Sequence, residues 1–284
     1  MKIEVVGDQA VWLPTDVSEA DAERLLVDPN YCIQDKEDGI HVLAARTERG
    51  VSTRNRKGEP HSVPQGLTQV LMGLPVGSML DGERLHEGGY VVFDILYWDG
   101  RDWREESYAN RLGEVYRVCS VMQSTWIRPI ASAFSENAKR DFLLDRREQM
   151  KEGVIFKDMR APYRPGRPVE GGTLRRLKFT KRMSVILFRR QGDTKASFDM
   201  LAFDGKPLPS LIGTVSAQQF FTDLLPGQAR VGEVEYLYGT PNRKLVQPRL
   251  VRPNPWREDK SFEECTLDQV IVGGRFASNG SDRR

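Results

Sequence analysis

The spacing of apolar residues predicts alternating helices and strands over the first two thirds of the chain. Residues 19–26 repeat apolar positions three and four apart, which predicts a helix capped by Thr15 or Ser18. Residues 31–47 predict two strands joined by a tight turn at 37–39. Further strands are expected near 78–81 and 90–97, and helices at 107–122 and 136–152. Antiparallel hairpins between helices favour an α+β fold.

The pattern changes after residue 182 to short β-rich segments separated by Gly, Pro and Asp. They read MSVILFRR, ASFDMLAF, RVGEVEYLYG and LVQPRLVR, with one helix expected at 216–225. Several short strands and one helix are typical of a small barrel such as an OB-fold. The predicted division is therefore a first domain at 1–182, a C-terminal OB-fold β-barrel at 183–272 and a disordered tail at 273–284.

Composition limits where the protein acts. None of the apolar segments approaches the roughly 20 residues of a membrane helix, so no membrane span is expected. The first residues lack the apolar core and cleavage site of a signal peptide. The widely separated Cys32, Cys119 and Cys265 fit reduced thiols rather than a disulfide framework. These observations predict a cytoplasmic protein.

Positive charge is concentrated in one segment, although the net charge is only +2. Residues 173–190 hold seven basic residues and no acidic one. Such a segment is either an ordinary solvated surface or a phosphate-binding face. The candidates for nucleic-acid contact are Arg175, Arg176, Arg189 and Arg190.

The residues K-E-D-G at 36–39 carry the main chemical signal. They place a lysine where a strand meets a turn, and a glycine where the chain is expected to reverse. A lysine can attack phosphorus only when it is neutral, and a lysine in water has a pKa of about 10.4. Desolvation, a nearby cation or a metal ion would have to lower that pKa. Alone, the pattern also fits a solvated turn.

The order of further motifs gives that pattern its context. The sequence resembles the covalent nucleotidyltransferase superfamily, and within it the compact viral or bacterial ATP-dependent DNA ligases. The matching segments are KEDG at 36–39, STRN at 52–55, LDGE at 80–83, VFDILY at 92–97, EGVIFK at 152–157, LKFTK at 177–181 and REDK at 257–260. The resemblance implies an adenylation (nucleotidyltransferase) domain at 1–182, and Lys36 as the nucleophile that carries AMP.

Roles for the nucleotide-binding residues follow from this resemblance and from their chemistry. Lys178 and Lys181 are expected to meet the α-phosphate, and Phe93 to stack on adenine. Gln34 lies two residues before Lys36, on the same side of the strand, and is expected to read the adenine edge. Other assignments remain open: Arg54 holds either the ribose or the 5′-phosphate of the nick, and Asp38 orients either Lys36 or a metal-bound water.

The expected cofactors are ATP and Mg²⁺ or Mn²⁺. Glu83 and Glu152 each stand beside a glycine and are the predicted metal carboxylates, the alternative being exposed turn acids. In the family, the segment of Arg257, Asp259 and Lys260 orients pyrophosphate during lysine adenylylation. The expected partner is nicked duplex DNA, possibly with an RNA strand, bound by a monomer in the bacterial cytosol or a phage-infected cell.

Two positions depart from the family pattern. His41 stands where ligases commonly carry Arg, which leaves the contact to the nick phosphate open. The second lysine of LKFTK lies one place later than usual, so either Lys178 or Lys181 could contact the α-phosphate. The alternatives to a DNA ligase are an RNA ligase, a capping-type guanylyltransferase and a nucleic-acid-binding protein with an inactive transferase domain.

Overall fold

The computed structural model describes residues 11–192 and 195–273. These residues form two compact units. The first contains residues up to Glu148 together with Gly153–Lys178, and the second contains Gln149–Glu152 and the residues from Phe179 onward. Of the tail predicted to be disordered, only Gly273 lies within the described residues.

Two sheets organise the first unit. In chain order its strands are β1 (Thr15–Asp16), β2 (Tyr31–Asp35), β3 (Gly39–Thr47), β4 (Gly50–Asn55), β5 (Ser78–Leu85), β6 (Tyr90–Trp98), β7 (Arg101–Asp102), β8 (Ile127–Pro129), β9 (Ser132–Ala133), β10 (Gly153–Asp158) and β11 (Leu174–Lys178). The first sheet has the order β1-β11-β10-β2-β9. The second has the order β4-β3-β5-β6-β7, with β8 also paired to β6. Most pairs are antiparallel, as the predicted α+β class requires.

The helices of this unit are α1 (Glu19–Val27), α2 (Gln65–Met72), α3 (Tyr108–Met122) and α4 (Glu136–Glu148). Ser18 caps α1 by accepting a hydrogen bond from the Asp21 amide, and Ser107 does the same for α3. The predicted start of each helix is thereby confirmed. No helix within the described ranges combines the length and apolar character needed to span a bilayer.

The second sheet is buried on both faces, which explains the apolar run in β3. Val42 and Ala44 pack with α2 and α3 residues on one face. Leu43 and Ala45 pack on the other face with Tyr163 and other residues of the first unit. Successive strand residues point to opposite faces, so an uninterrupted apolar run indicates a strand covered on both sides.

The predicted hairpin at 31–47 is wrong. β2 pairs with β9 and β10, whereas β3 pairs with β4 and β5. Residues 36–38 therefore carry the chain from one sheet to the other. Strand periodicity identified both strands correctly, but it contains no information about which strands pair.

One helix prediction for this unit needs correction, and one helix was not predicted. α4 ends at Glu148 rather than at residue 152, because Met150 takes a left-handed backbone with φ of 52° and β10 begins at Gly153. α2 was not predicted at all. It has Pro64 at its N-cap and buries only Leu67 and Leu71, so its apolar signal is short.

The second unit is built on a five-stranded sheet. Its strands are β12 (Lys181–Phe188), β13 (Ser197–Ala202), β14 (Ser210–Ser216), β15 (Ala229–Tyr236) and β16 (Arg249–Leu250), in the order β14-β13-β12-β15-β16. Among the described residues of this unit, the sheet has edges at β14 and β16 and does not close into the predicted barrel. Of the segment LVQPRLVR, only Arg249–Leu250 forms a strand.

The helix predicted at 216–225 is wrong as well. β14 extends to Ser216, and the remainder contains a single 3₁₀ turn at Phe221–Asp223. Phe220, Phe221 and Leu224 pack into the core of this unit. Their spacing resembles that of an amphipathic helix, but a short connection satisfies the same contacts.

Candidate active site

Lys36 lies at the crossing from the first sheet to the second. It follows the last residue of β2, and its amide donates to the Gly153 carbonyl at 3.1 Å. The preceding Asp35 amide donates to the Ala131 carbonyl at 3.4 Å, and the Glu37 carboxylate pairs with Arg128 at 2.7 Å. The half-buried lysine is therefore mounted on an anchored backbone.

Gly39 has a role different from the expected chain reversal. It begins β3 opposite Leu85, and a Cβ atom there would lie 2.4 Å from the Arg84 carbonyl oxygen. The glycine of the K-E-D-G segment thus permits close approach of β3 to β5. The sequence shows the glycine but not which backbone passes beside it.

Phe93 is the extra residue of a β-bulge. Asp81 and Gly82 of β5 oppose Asp94 and Val92 of β6, which leaves Phe93 without a partner in the ladder. A bulge of this kind redirects a side chain. The Phe93 ring lies edge-on to the His41 ring, with centroids 5.3 Å apart and an interplanar angle of 88°.

His41 belongs to a buried hydrogen-bonded chain. Its Nε2 lies 2.5 Å from Asp81 Oδ1, and the Tyr163 hydroxyl donates to Asp81 Oδ2 at 2.8 Å. Burial lowers the pKa of His41, but the Asp81 charge and hydrogen bond outweigh it, so the pKa lies above its ordinary value. The charged imidazolium is therefore more favourable at this position than in a free histidine.

Gln34 is almost fully buried two residues before Lys36, with 2% of its surface exposed. Its Nε2 donates to the Tyr108 hydroxyl at 2.7 Å and to the Ser132 hydroxyl at 2.9 Å. The predicted reader of the base edge is thus held by residues of α3 and β9.

A buried charge cluster lies beside these residues. Asp94 pairs with Arg111 at 2.7 Å and with Lys157 at 2.7 Å, and all three side chains are essentially inaccessible. Lys157 Nζ also lies 3.7 Å from the Tyr108 ring centroid. Burial lowers the pKa of Lys157 against the opposing effect of Asp94. Burial would raise the pKa of Asp94, but the two cations lower it overall.

This cluster was missed as a unit by sequence reasoning. Asp94 and Lys157 fall inside the VFDILY and EGVIFK segments, so two members carried a signal. Arg111 stands in an ordinary amphipathic helix and carried none. Only the packing of α3 against β6 brings it to Asp94.

Three more residues that the sequence predicts for the active site lie on strands of the first unit. Arg54 in β4 donates to the Gly58 carbonyl at 2.8 Å, and its buried Nε has no hydrogen-bond partner among the described residues. Glu83 in β5 pairs in register with His41. Lys178 ends β11 opposite Gly153, the residue whose carbonyl accepts from Lys36, so the two lysines flank one backbone segment.

The other candidates belong to the second unit. Lys181 donates to the Leu237 carbonyl at 3.1 Å, and burial lowers its pKa. Glu152 is buried, and its carbonyl accepts from the Phe179 amide. Arg257 binds both carboxylate oxygens of Asp259 and also Glu233. The Arg257 hydrogen bond lowers the pKa of the exposed Asp259 to about 2. The neighbouring Lys260 is half-buried.

The four candidate nucleic-acid contacts differ in their surroundings. Arg176 pairs with Asp16 at 2.6 Å with its side chain only 13% exposed, and Arg175 donates to the Gly172 carbonyl. Arg189 donates to the Phe221 and Leu224 carbonyls and stacks on the Phe221 ring at 3.8 Å. The side chain of Arg190 is 53% exposed beside Asp199.

No group of three or more His, Cys, Asp or Glu residues suited to a metal ion occurs in the chain at 11–192 and 195–273. Mg²⁺ commonly uses one or two protein carboxylates and completes its shell with substrate phosphates and water. Half-buried Glu83 in the first unit and buried Glu152 in the second are each an oxygen donor of that kind, so the chemistry of each taken singly fits such a mode.

No known protein-family model and no curated protein matches the sequence. Solved structures do match. Lig E DNA ligases align with a TM-score of 0.64 at 15% identity, over 87% of this chain and 99% of theirs. The ligase domain of LigD from M. tuberculosis aligns with a TM-score of 0.53 at 20% identity, over 94% and 99%. A mycobacterial DNA ligase D complexed with ATP and MES aligns with a TM-score of 0.52 at 21% identity, over 94% of this chain and 99% of its own.

At these identities the likeness establishes the fold. The chain shares the mixed α/β fold of DNA ligases over most of its length, and the fold expected from the ordered motifs is confirmed at this level.

Proposed function

We propose that the protein is an ATP-dependent polynucleotide ligase that seals 5′-phosphate/3′-OH nicks in duplex DNA. The observation that carries this proposal is the anchored Lys36, which stands two residues from a buried Gln34 within a ligase fold. The mycobacterial ligase of the same fold is complexed with ATP, and the Lig E ligases are described as binding DNA with a minimal scaffold.

In the first step, the neutral amine of Lys36 attacks the α-phosphorus of ATP. A P–N bond forms, the bond to the bridging oxygen of the β-phosphate breaks, and pyrophosphate leaves as the amine gives up a proton. Lys178, which flanks the same Gly153 backbone, stabilises the charge that builds on the α-phosphate. Lys181 stays the other candidate for this contact.

Phe93 and Gln34 bind the adenine in this proposal. The bulge turns the Phe93 ring to stack on the base, and Gln34 contacts the base edge. Arg54 binds the ribose or the nick phosphate, and Asp38 orients Lys36 or a metal-bound water. His41 stands near Phe93 as a second candidate for the nick phosphate, since Asp81 raises its pKa above the ordinary value despite its burial.

A bound Mg²⁺ or Mn²⁺ would neutralise phosphate charge during these steps, and the candidate carboxylates to hold it are Glu83 of the first unit and Glu152 of the second. AMP then passes from Lys36 to the 5′-phosphate of a nick, and the 3′-OH attacks that phosphorus and releases AMP. Each of the two transfers breaks one bond to phosphorus and forms one, so no further co-reactant is needed.

The second unit supplies the remaining parts in our proposal. We assign its open five-stranded sheet to a partly open OB-fold, in which Arg257, Asp259 and Lys260 orient the pyrophosphate. Of the four expected phosphate contacts to DNA, we retain Arg175 and Arg176 of the first unit and Arg190 of the second, whereas we assign Arg189 to bracing the turn at Phe221–Asp223.

The test is incubation with Mg²⁺ and either α-labelled ATP or α-labelled GTP, followed by a denaturing gel and addition of nicked duplex. We expect a covalent AMP adduct that Lys36→Ala abolishes and that nicked DNA discharges with a sealed product. An adduct on another residue would exclude Lys36. Discharge of the adduct only on a nick with an RNA strand would favour an RNA ligase. Trapping of GMP alone would favour a capping-type enzyme. Binding of DNA without any adduct would favour an inactive transferase domain.

A further inference from the structure

The hydrogen bonds around Gln34 define which end of its amide each partner contacts. Nε2 donates to the Tyr108 hydroxyl and to the Ser132 hydroxyl. Each hydroxyl has one proton, and each has a backbone carbonyl to receive it. Tyr108 donates to the Phe93 carbonyl at 2.8 Å, and Ser132 donates to the Ile130 carbonyl at 3.3 Å. Both amide protons and both hydroxyl protons are used.

The opposite orientation of the amide satisfies fewer groups. With the two ends exchanged, the single proton of Ser132 could serve either Oε1 or the Ile130 carbonyl but not both, and Nε2 would reach only the Tyr108 hydroxyl, at 3.1 Å instead of 2.7 Å. Four hydrogen bonds would become three. Gln34 is 2% exposed, so water does not compensate for the loss. The surrounding residues therefore favour one orientation of this side chain.

In this orientation Oε1 remains as the acceptor of the side chain. It lies 3.1 Å from the Tyr108 hydroxyl, but the single proton there has a shorter bond to the Phe93 carbonyl at 2.8 Å. An acceptor at the base edge matches the 6-amino group of adenine. The same acceptor opposes the 6-oxo oxygen of guanine or hypoxanthine, since neither atom supplies a proton.

We propose that Tyr108 and Ser132 are positioning residues that hold Gln34 Oε1 toward the base, and thereby make the site select 6-amino over 6-oxo purine nucleoside triphosphates. This inference rests on the proposed nucleotide-binding function of Gln34. Tyr108 also has a second role in positioning the base. Its hydroxyl also binds the carbonyl of Phe93, the unpaired bulge residue proposed to stack on the base. One hydroxyl thus fixes both groups that contact the purine.

The test compares covalent labelling of Lys36 by α-labelled ATP and ITP in the full-length protein. ITP carries a 6-oxo group with a proton on the adjacent N1 and, unlike GTP, no 2-amino group, so ATP and ITP differ only at the 6-position and at N1. Tyr108→Phe with Ser132→Ala frees the amide to turn and present Nε2. We expect the ITP to ATP labelling ratio to rise about tenfold, as the loss of one discriminating hydrogen bond implies.

Tyr116→Phe is the matched control. It removes a tyrosine hydroxyl from the same helix, where that hydroxyl donates to the Ile130 carbonyl at 2.9 Å and does not contact Gln34. Its labelling ratio should equal that of the wild type. A double variant that is labelled by ATP with an unchanged ratio would overturn the inference. Absence of labelling of the wild-type protein by any nucleotide would instead refute the proposed function itself.

A second measurement needs no variant and so does not depend on folding of the double mutant. The wild-type protein is offered purine riboside triphosphate, which has hydrogen at the 6-position, beside ATP and ITP. A fixed acceptor predicts the order ATP, then purine riboside, then ITP, because only the 6-oxo group adds repulsion. Labelling by ITP that equals or exceeds labelling by purine riboside triphosphate would show that Gln34 presents a donor, and would overturn the inference.

Discussion

At the scale of single residues, the most demanding feature is one carboxylate shared by two buried cations. Asp94 contacts both Arg111 and Lys157, and none of the three side chains exceeds 3% exposure. Desolvating three charges is costly, and the cost is offset only while the pairs remain complete. The cluster lies next to Tyr108, so its integrity bears on the proposed base site as well.

Replacing the shared carboxylate should therefore destabilise the protein severely. Asp94→Asn leaves two buried cations without an anion, and we expect the free energy of unfolding to fall by about 3–5 kcal/mol in urea denaturation. Lys157→Met in the Asp94→Asn background should recover part of that loss, because it removes one uncompensated charge.

The control for this prediction is an exposed ion pair. Glu106→Gln breaks a pair with Arg101, whose side chain is 62% exposed, and should cost less than about 1 kcal/mol. If Asp94→Asn and Glu106→Gln lowered the free energy of unfolding by the same small amount, the Asp94 cluster would contribute no more to stability than a surface ion pair.

His41 should make stability depend on pH. Asp81 raises the folded-state pKa above the ordinary 6.5, so the protonated pair stabilises the fold fully below that value. The contribution is lost as pH rises through the folded-state pKa. We expect the difference in unfolding free energy between wild type and His41→Gln to be largest at acid pH and to shrink at alkaline pH.

The exposed His86 provides the comparison, since His86→Gln removes a histidine outside this chain of hydrogen bonds. A stability difference for His41→Gln that grew as pH rose would contradict the assigned direction of the shift.

At the scale of secondary-structure elements, two glycines act in opposite ways. Gly39 lets β3 approach β5, because an added Cβ would lie 2.4 Å from a backbone oxygen. Gly113 lies exposed in α3, where an added Cβ would meet no heavy atom within 4 Å. Chemically identical substitutions at the two positions thus have opposite expected effects.

Gly39→Ala should lower the unfolding free energy by about 1–3 kcal/mol, because the backbone at the start of β3 must shift to avoid the overlap. Gly113→Ala should raise it by about 0.5–1 kcal/mol, through the higher helix propensity of alanine. Thermal unfolding of both variants in one buffer measures the contrast. Equal effects of the same sign would mean that the contact at Gly39 is relieved without cost.

The secondary-structure elements also show how much of the fold could be predicted from the sequence. Capping serines and apolar periodicity correctly predicted α1 and α3, and the apolar pattern alone predicted β5 and β6. These signals are local in the sequence. The predicted hairpin between β2 and β3 was wrong, because β2 pairs with β10, a strand more than a hundred residues further along the chain. The bulge at Phe93 and the acceptor roles of Tyr108 and Ser132 were equally hidden. They arise only when three separate segments meet.

At the scale of the whole molecule, charge must be judged by environment rather than by count. The chain carries only +2 overall, and its basic segment is visible in the distribution of charge along the sequence. Within that segment, Arg189 is committed to two carbonyls and the Phe221 ring, whereas Arg190 is largely exposed. The adjacent arginines therefore suit different purposes.

Binding to nicked duplex should separate these two arginines. Phosphate contacts release counterions, so each contact adds about 0.9 to the slope of log affinity against log salt. We expect Arg190→Ala to reduce that slope by about one contact. Because the variant also removes the partner of the largely buried Asp199, its melting temperature is measured beside the slope. Arg189→Ala should lower the melting temperature while leaving the slope unchanged, because its guanidinium braces the turn at Phe221–Asp223. A slope that fell only in the Arg189 variant would reverse the assignment, and the side chain that the fold uses internally would then be the one that meets DNA.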